Sequence, residues 1–307
     1  MRIKKVWLMI AWLNGTLTEI HNAKVSLLSH SFSRGTAIFE VLEIVTSHKG
    51  PALLGLHQHL TRFFNSAQLL HIPLSYIETD IIEAIVSCAK ANNVKNGLVK
   101  FFAYYDDIEL TILPHSSKVS FAVFCIDYDT LQLDVDELSK PSRACISTYK
   151  KIDPSMVPVH AKVAGNYVNS YLAQLEAKQK GFTDAILADT KGNIAEAATA
   201  NIFFVKGQSL YTPTLQSIMP GITRMIVLDI AQHDNIPATE CDIPVESINE
   251  FSEAFFSGSV NNIQPIESIN DVTFSPVPGT ISKIIQDKVS SLILGNHPLS
   301  GKYLYYF

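Results

Sequence analysis

Short runs rich in β-branched and aromatic residues punctuate the first half of this chain and predict strands at Val6–Leu13, Lys24–Leu28, Glu40–Val45, Leu53–Gly55, Leu98–Tyr104 and Val119–Asp127. Two segments between them carry apolar residues at helical spacing. About His57–Leu70, a helix puts Leu60, Phe63, Phe64, Ala67 and Leu70 on one face, a core stripe that leaves Arg62 off its edge. About Thr79–Ala91, a second helix aligns Ile81, Ile82, Ile85, Val86 and Ala89. A polar stretch at 129–142, with Asp134, Asp136, Glu137 and Pro141, is the expected link between domains. Beyond it the pattern predicts a strand at Ala144–Thr148 and a helix at about Asn166–Lys180. Short strands follow at Ala185–Leu187, Ile194–Ala195, Ile202–Val205, Ala238–Cys241 and Ala254–Ser257, with helices from Ile222 to about His233 and over Thr280–Leu294. The cadence is not that of a doubly wound sheet. An α+β fold is expected, with an N-terminal domain over 1–128 and a C-terminal domain over 143–307.

Composition narrows the class without naming a function. Of 307 residues, 47% are hydrophobic and 17% charged, which suits a compact globular protein of two cores. A net charge of −5, with no basic stripe among aromatics, gives no nucleic-acid footprint. Cys88, Cys125, Cys145 and Cys241 lie far apart without Cys-x-x-Cys spacing, as buried thiols of a reducing compartment would. His57 and His59 stand two residues apart on a predicted helix and so point away from each other; no metal site is expected. Arg2, Lys4 and Lys5 before Val6–Leu13 imitate the start of a secretory signal, but the apolar run is short and Asn14-Gly15 follows it as a hairpin turn. No apolar segment reaches the roughly 20 residues that span a bilayer, so no membrane partner and a cytoplasmic location are expected.

Three places carry candidate chemistry. Lys162 has small neighbours, Val163, Ala164 and Gly165, that leave room for a cofactor ring and a substrate to reach its nitrogen. Glu196 is a carboxylate suited to a ring nitrogen, and Pro220-Gly221-Ile222-Thr223-Arg224 is a glycine-led helix start suited to a phosphate. Each has a plain counterpart: a lysine beside glycine is ordinarily solvated, Glu196 equally suits a turn or a strand edge, and Pro-Gly is common punctuation. Order and spacing together point to an aldehyde cofactor bearing a ring nitrogen and a phosphate.

With those residues go Trp12 to Gly15, Ser29-His30, Gly35 to Glu40, Ser47 to Pro51, His59 to Arg62, Ala161 to Tyr167, Ala195-Glu196, Asn201 to Phe203 and Ser257 to Ser259. In this ordered set the chain resembles the class IV, fold-type IV pyridoxal phosphate aminotransferases over nearly its whole length, and most of all the branched-chain amino acid aminotransferases. The resemblance implies a two-domain enzyme of the D-amino acid aminotransferase-like fold, with a smaller N-terminal domain, a larger C-terminal domain with a barrel-like core, and pyridoxal 5'-phosphate between them. It implies that Lys162 forms the Schiff base and moves the proton at the substrate α-carbon. Glu196 would pair with the ring nitrogen and Tyr167 with the phenolic oxygen. Arg62, the amides of Ile222 and Thr223, the Thr223 hydroxyl and Ser259 would hold the phosphate. The implied partners are an amino acid, a keto acid and a second copy of the chain, whose pocket the loop at Phe32 to Arg34 would help to line.

Departures from the family pattern bear on substrate. Where branched-chain enzymes carry Tyr-x-Arg, this chain has Leu98-Val99-Lys100, which keeps a charge but loses the planar fork that grips a carboxylate. Arg34 replaces a pocket tyrosine and either faces the cofactor or turns to solvent or a subunit contact; Arg34, Lys100 and Val260 are the candidate substrate-facing residues. Tyr104 to Leu110, with Asp106, Asp107 and Glu109, stands where the pattern has a glycine-rich loop, and suits either a lid or a solvated hairpin end. Lys150-Lys151 suits a solvated loop. A lyase of the aminodeoxychorismate type, a D-amino acid aminotransferase and a cofactor-binding protein without turnover are the alternatives; lyases tend to read Lys-x-Leu-Asn-Arg where this chain reads Lys162 to Tyr167.

Overall fold

The computed structural model describes residues 9–115, 118–131 and 140–307. The basic start at Arg2, Lys4 and Lys5, the first residues of the Val6–Leu13 strand and residues 132–139 of the expected link lie outside the described residues.

In chain order the first half runs β1 Ile10–Leu13, β2 Thr16–Glu19, α1 His30–Arg34, β3 Ile38–Ser47, β4 Gly50–Leu54, α2 Leu56–Leu69, α3 Glu78–Ala91, β5 Gly97–Tyr104, β6 Ser120–Asp127 and α4 Tyr128–Leu131. The second runs β7 Ser142–Ile146, α5 Tyr167–Gln179, β8 Asp184–Ala188, β9 Ile194–Ala197, β10 Asn201–Lys206, β11 Ser209–Thr212, α6 Ile222–His233, β12 Ala238–Glu240, β13 Glu253–Gly258, β14 Asn262–Ile269, β15 Val272–Thr273, α7 Thr280–Leu294, α8 Ser300–Tyr303 and β16 Leu304–Tyr306. A seven-stranded sheet has the order β16-β4-β3-β5-β6-β1-β2. The larger sheet has nine strands, β12-β11-β10-β13-β14-β7-β8-β9 with β15 on β14, and curls into a half-barrel.

Strand parity sorts the chemistry of the first sheet. β3 and β5 pair Phe39 with Phe102, Val41 with Lys100 and Glu43 with Leu98, so these six share a face. The opposite face carries Leu42, Ile44, Val99 and Phe101, packed under Leu60 and Phe63 of α2 and Ile81 and Ile85 of α3. Glu40 belongs to that helix-covered face and meets Arg62 there. A second core sets Ile226 and Ile230 of α6 and Ile285 and Leu292 of α7 against Phe203 and Phe255, and takes in Val45, Ala52 and Leu54 from the first sheet. The two halves are thereby welded along β3 and β4.

Most expected elements form within a residue or two of their predicted ends, and Ile222–His233 and Thr280–Leu294 agree at both ends. Lys24–Leu28 does not form a strand: it runs irregularly, with Leu27 73% exposed. β14 was not expected. It contains Pro265, which lacks a ladder donor and reads as a breaker, yet pairs opposite Phe255 in a sheet interior.

Candidate active site

Residues 162–165 lie beside the start of β3. The Lys162 carbonyl accepts from the Phe39 amide at 3.0 Å, Ala164 N–H donates to Ala37 at 2.8 Å and Gly165 N–H to Gly35 at 2.9 Å. This contact needs glycine on both sides: a Cβ on Gly35, which caps α1 at φ +71, would stand 2.9 Å from Gly165 Cα. The Lys162 amide donates to Ser66 Oγ of α2 at 3.0 Å. Held from both directions, the side chain extends into a cleft, where Nζ donates to Tyr167 Oη at 2.6 Å and lies 5.1 Å from the centre of the Phe39 ring.

The facing wall is β9, buried along its length. Glu196 Oε2 accepts from Asn201 Nδ2 at 3.1 Å and from the Met219 amide at 3.0 Å. Its Oε1 meets Lys151 Nζ at 2.6 Å. This corrects the expectation of a solvated lysine pair. Lys150 is exposed, but the Lys151 amide donates to Ala188 at 2.8 Å, and that tie at the end of β8 turns its side chain into the cleft.

At the end of the cleft Arg62 is fixed before any ligand arrives. Its Nε and Nη2 donate to Glu40 Oε1 and Oε2, both at 2.7 Å, and its Nη1 donates to the Pro220 carbonyl at 2.9 Å. His59 Nδ1 lies 2.7 Å from Glu40 Oε2. Burial by itself would raise the Glu40 pKa, but the charges of Arg62 and His59 outweigh it and hold the carboxyl at about 2. Burial depresses the pKa of His59, against the pull of Glu40. His57, two residues earlier, turns away to Glu78 at 2.7 Å, as its spacing requires.

Beside Arg62 the start of α6 presents the Ile222 and Thr223 amides, first-turn donors that no carbonyl of the helix can accept. Gly221 precedes them because nothing larger fits: its Cβ would stand 1.9 Å from Asn201 Oδ1. Ser259 lines the same wall, and so does Ser257, whose buried hydroxyl has no protein partner. Cations, orphan amides and an unpartnered hydroxyl at one end, with a carboxylate midway and an amine opposite, fit a phosphorylated ring with a basic nitrogen and a carbonyl. Arg62, Lys162, Tyr167, Glu196, Ile222, Thr223 and Ser259 all line this one cleft. Ser257, Asn201, Glu40 and Lys151 were given no role at the site from sequence; Ser257, Asn201 and Glu40 stand in matched family stretches, which was the available signal.

Lys100 rises from the sheet face that carries Phe39. Its ammonium sits 4.6 Å from the Phe39 ring centre and 4.9 Å from that of Phe102, with no carboxylate partner among the described residues. Burial lowers its pKa, and the charge of Lys162 lowers it further. Val260 is half-buried at the tip of the β13–β14 hairpin. Arg34 is exposed, and its Nη2 donates to the Leu110 carbonyl at 3.0 Å. The loop after β5 hides its charge and shows its apolar residues. Asp106 accepts from Ser120 at 2.6 Å and Glu109 from the Leu110 and Thr111 amides, while Ile108, Leu110, Ile112 and Leu113 are exposed.

One group with metal-ligating atoms, His233, Asp234 and His297, lies at the far end of α6. The Leu299 amide donates to His297 Nδ1, which leaves the proton on Nε2, and Lys288 already meets Asp234 at 2.8 Å; both arrangements oppose a cation.

A family model described as Amino-transferase class IV matches residues 37–269. The branched-chain-amino-acid aminotransferase of Escherichia coli (strain K12) is 30% identical over 289 residues, 92% of this chain and 93% of its own. The crystal structure of the branched-chain aminotransferase from Thermoproteus uzoniensis with norvaline superposes with a TM-score of 0.91 at 29% identity, covering 97% of this chain and 98% of that one. The T.th. branched-chain amino acid aminotransferase complexed with N-(5'-phosphopyridoxyl)-L-glutamate does so with a TM-score of 0.91 at 26% identity, covering 97% and 98%.

Proposed function

The chain belongs to the class IV aminotransferases, and from that premise we propose that it moves an amino group from a branched-chain-like L-amino acid to a 2-keto acid, with Lys162 at the reacting centre. It is a pyridoxal 5'-phosphate-dependent aminotransferase. The observation that carries the residue assignment is a single cleft with Lys162 and Tyr167 on one wall, Glu196 on the other, and Arg62 with the α6 start at its end.

When bound, the cofactor supplies an aldehyde that carries the amino group and a ring that withdraws electrons from the substrate α-carbon. The chain supplies the rest. Arg62, pinned by Glu40, offers its remaining N–H to the phosphate, together with the Ile222 and Thr223 amides and the Ser259 hydroxyl. Glu196 holds negative charge where the ring nitrogen is expected. The Lys162 amine takes and returns the proton at the substrate α-carbon, steered by Tyr167 Oη at 2.6 Å. Lys100, with no carboxylate partner among the described residues, is the group offered to a substrate carboxylate, while its loss of the arginine fork is what speaks for a lyase. Phe39, Val41, Leu98 and Phe102 share the sheet face of Lys100, an apolar surface suited to a branched side chain.

A homodimer belongs to this reading. It is supported by the exposed apolar residues Leu27, Leu28, Phe32, Ile108, Leu110, Ile112 and Leu113, joined to one another through Glu109 N–H on the Leu28 carbonyl and Arg34 on Leu110. Arg34 stands among them, placed to reach a neighbour's cleft. The division at 1–128, 129–142 and 143–307 is the working domain organisation, with β16 tying the end of the chain to the first sheet. Among the described residues no helix is long and apolar enough to cross a membrane, and all four cysteines are free, which supports a cytoplasmic setting.

The test is the absorbance of purified holoenzyme before and after L- and D-amino acids are added without acceptor. Bleaching of the visible band by branched-chain L-amino acids is expected, and Lys162→Ala should lose the band and at least about 10³-fold in turnover. Full turnover in Lys162→Ala would sink the assignment. Pyruvate released without acceptor would favour the lyase.

A further inference from the structure

Four carboxylates are buried among the described residues, and three are answered by charge or by helix amides. Glu40 has Arg62 and His59, Glu196 has Lys151, and Glu253 accepts from the Ile281 and Ser282 amides at the start of α7. Glu43 has only neutral partners. The Tyr128 hydroxyl, where α4 leaves β6, makes a short hydrogen bond to Oε1, and Asn262 Nδ2 donates to Oε2 at 2.9 Å. Asn262 closes the three-residue turn of Ser259, Val260 and Asn261 with φ +46, and its own Oδ1 is buried without a donor. Glu43 therefore joins the sheet that carries Lys100 to the hairpin that carries Ser259 and Val260.

Among the described residues no ion pair relieves it. Leu98 faces it on β5, and Lys100, one rung on, leans away over Phe39 and Phe102. β4 offers the apolar Leu53 and Leu54. α7 packs on β3, but its Lys283 pairs with Asp287 and its Lys288 with Asp234. Tyr128 is the titratable group in contact, and burial together with Glu43 holds its hydroxyl far above its usual range.

We propose that Glu43 is a positioning residue that works as a neutral acid, clasping the Ser259–Asn262 hairpin to the substrate-side sheet and releasing it when the proton is lost. The neutral acid keeps both contacts, Oε1 accepting from the Tyr128 hydroxyl and Oε2 from Asn262 Nδ2, without carrying a charge into the buried site. Losing that proton leaves a buried charge with no cation, beside an amide oxygen that already lacks a donor. Burial pushes the carboxyl up to about 7, against the hydrogen bonds from Tyr128 and Asn262, so the release falls near neutral pH. The inference rests on the assignment of Ser259 to the phosphate and Val260 to the substrate.

The experiment measures the pyridoxal 5'-phosphate dissociation constant and the KM for the amino donor from pH 6 to 9, in the wild type and in Glu43→Gln. Glutamine keeps a neutral side chain of the same shape that cannot titrate, with its carbonyl accepting from the Tyr128 hydroxyl. Comparing the two proteins cancels the titrations of the cofactor and of Lys162. The expected result is a dissociation constant that rises by about tenfold more in the wild type than in Glu43→Gln across neutrality, and a KM that follows it. Asn262→Ala, which removes the clasp from the other side, should bind weakly at every pH and lose the same increment. Parallel profiles in wild type and Glu43→Gln would overturn the clasp alone. Failure of the wild type to bind the cofactor at any pH would overturn the functional reading and the clasp with it.

Discussion

Arg62 shows how much of a site is spent on holding one side chain still. A guanidinium at 7% exposure is costly to bury, and Glu40 with the Pro220 carbonyl satisfies most of its donors before a phosphate arrives. Glu40→Gln should leave that cation without its counter-charge, costing about 3 kcal/mol in urea melts at pH 7 and weakening cofactor binding at least about tenfold. The pH dependence has a definite sign. Glu40, ordinarily near 4.5, is held at about 2, so its contribution is present above pH 4.5 and is lost as pH falls toward 2. The acid limb of the wild-type stability profile should therefore be shallower in Glu40→Gln. Lys162 and Glu196 were proposed from residue type and neighbourhood, and Arg62 from the family resemblance. Lys151 could not, because adjacent lysines look alike in sequence while a strand end sends one outward and the other into the cleft.

At the scale of elements, the start of α6 does the most with the fewest residues. Gly221 lets Asn201 lie against the helix start, and Asn201 in turn fixes Glu196. Gly221→Ala is expected to displace Asn201, move the carboxylate and weaken cofactor binding by about tenfold or more, about 1.4 kcal/mol, in an absorbance titration. A variant with unchanged affinity would show that the wall yields without cost. Helices such as Ile222–His233 were legible because their apolar spacing and boundary residues agree. Lys24–Leu28 misled because β-propensity describes a half-buried surface, and this segment is exposed throughout. β14 was hidden by Pro265, whose missing donor is tolerated because flanking pairs with β13 and β7 hold the register.

For the whole molecule, the two sheets meet along β3 and β4, and the cleft opens where that weld ends. Exposed apolar residues gather at Leu27, Leu28 and Phe32 and along Ile108 to Leu113, the surface proposed to meet a second copy of the chain. Paired changes Ile112→Asp and Leu113→Asp should convert a dimer to a monomer in light scattering and reduce turnover, with far-ultraviolet circular dichroism unchanged. A wild type that is already monomeric would remove the shared-pocket role of Arg34.

Sequence by itself determined the family and the cofactor, and proposed the chemistry that would serve them: a lysine amine, a carboxylate for a ring nitrogen, a guanidinium and a helix start. These are properties of residue type and order, and they survive without coordinates. Tertiary structure decided which charges answer one another. Glu40 on Arg62, Lys151 on Glu196, and Glu43 facing a phenol and an amide are separated by 22, 45 and up to 219 positions along the chain. Strand parity, the packing of α2 on the first sheet, the tie of Lys151 to the end of β8 and the reach of the β13–β14 hairpin bring them together, and burial with its partners then sets each carboxyl's pKa.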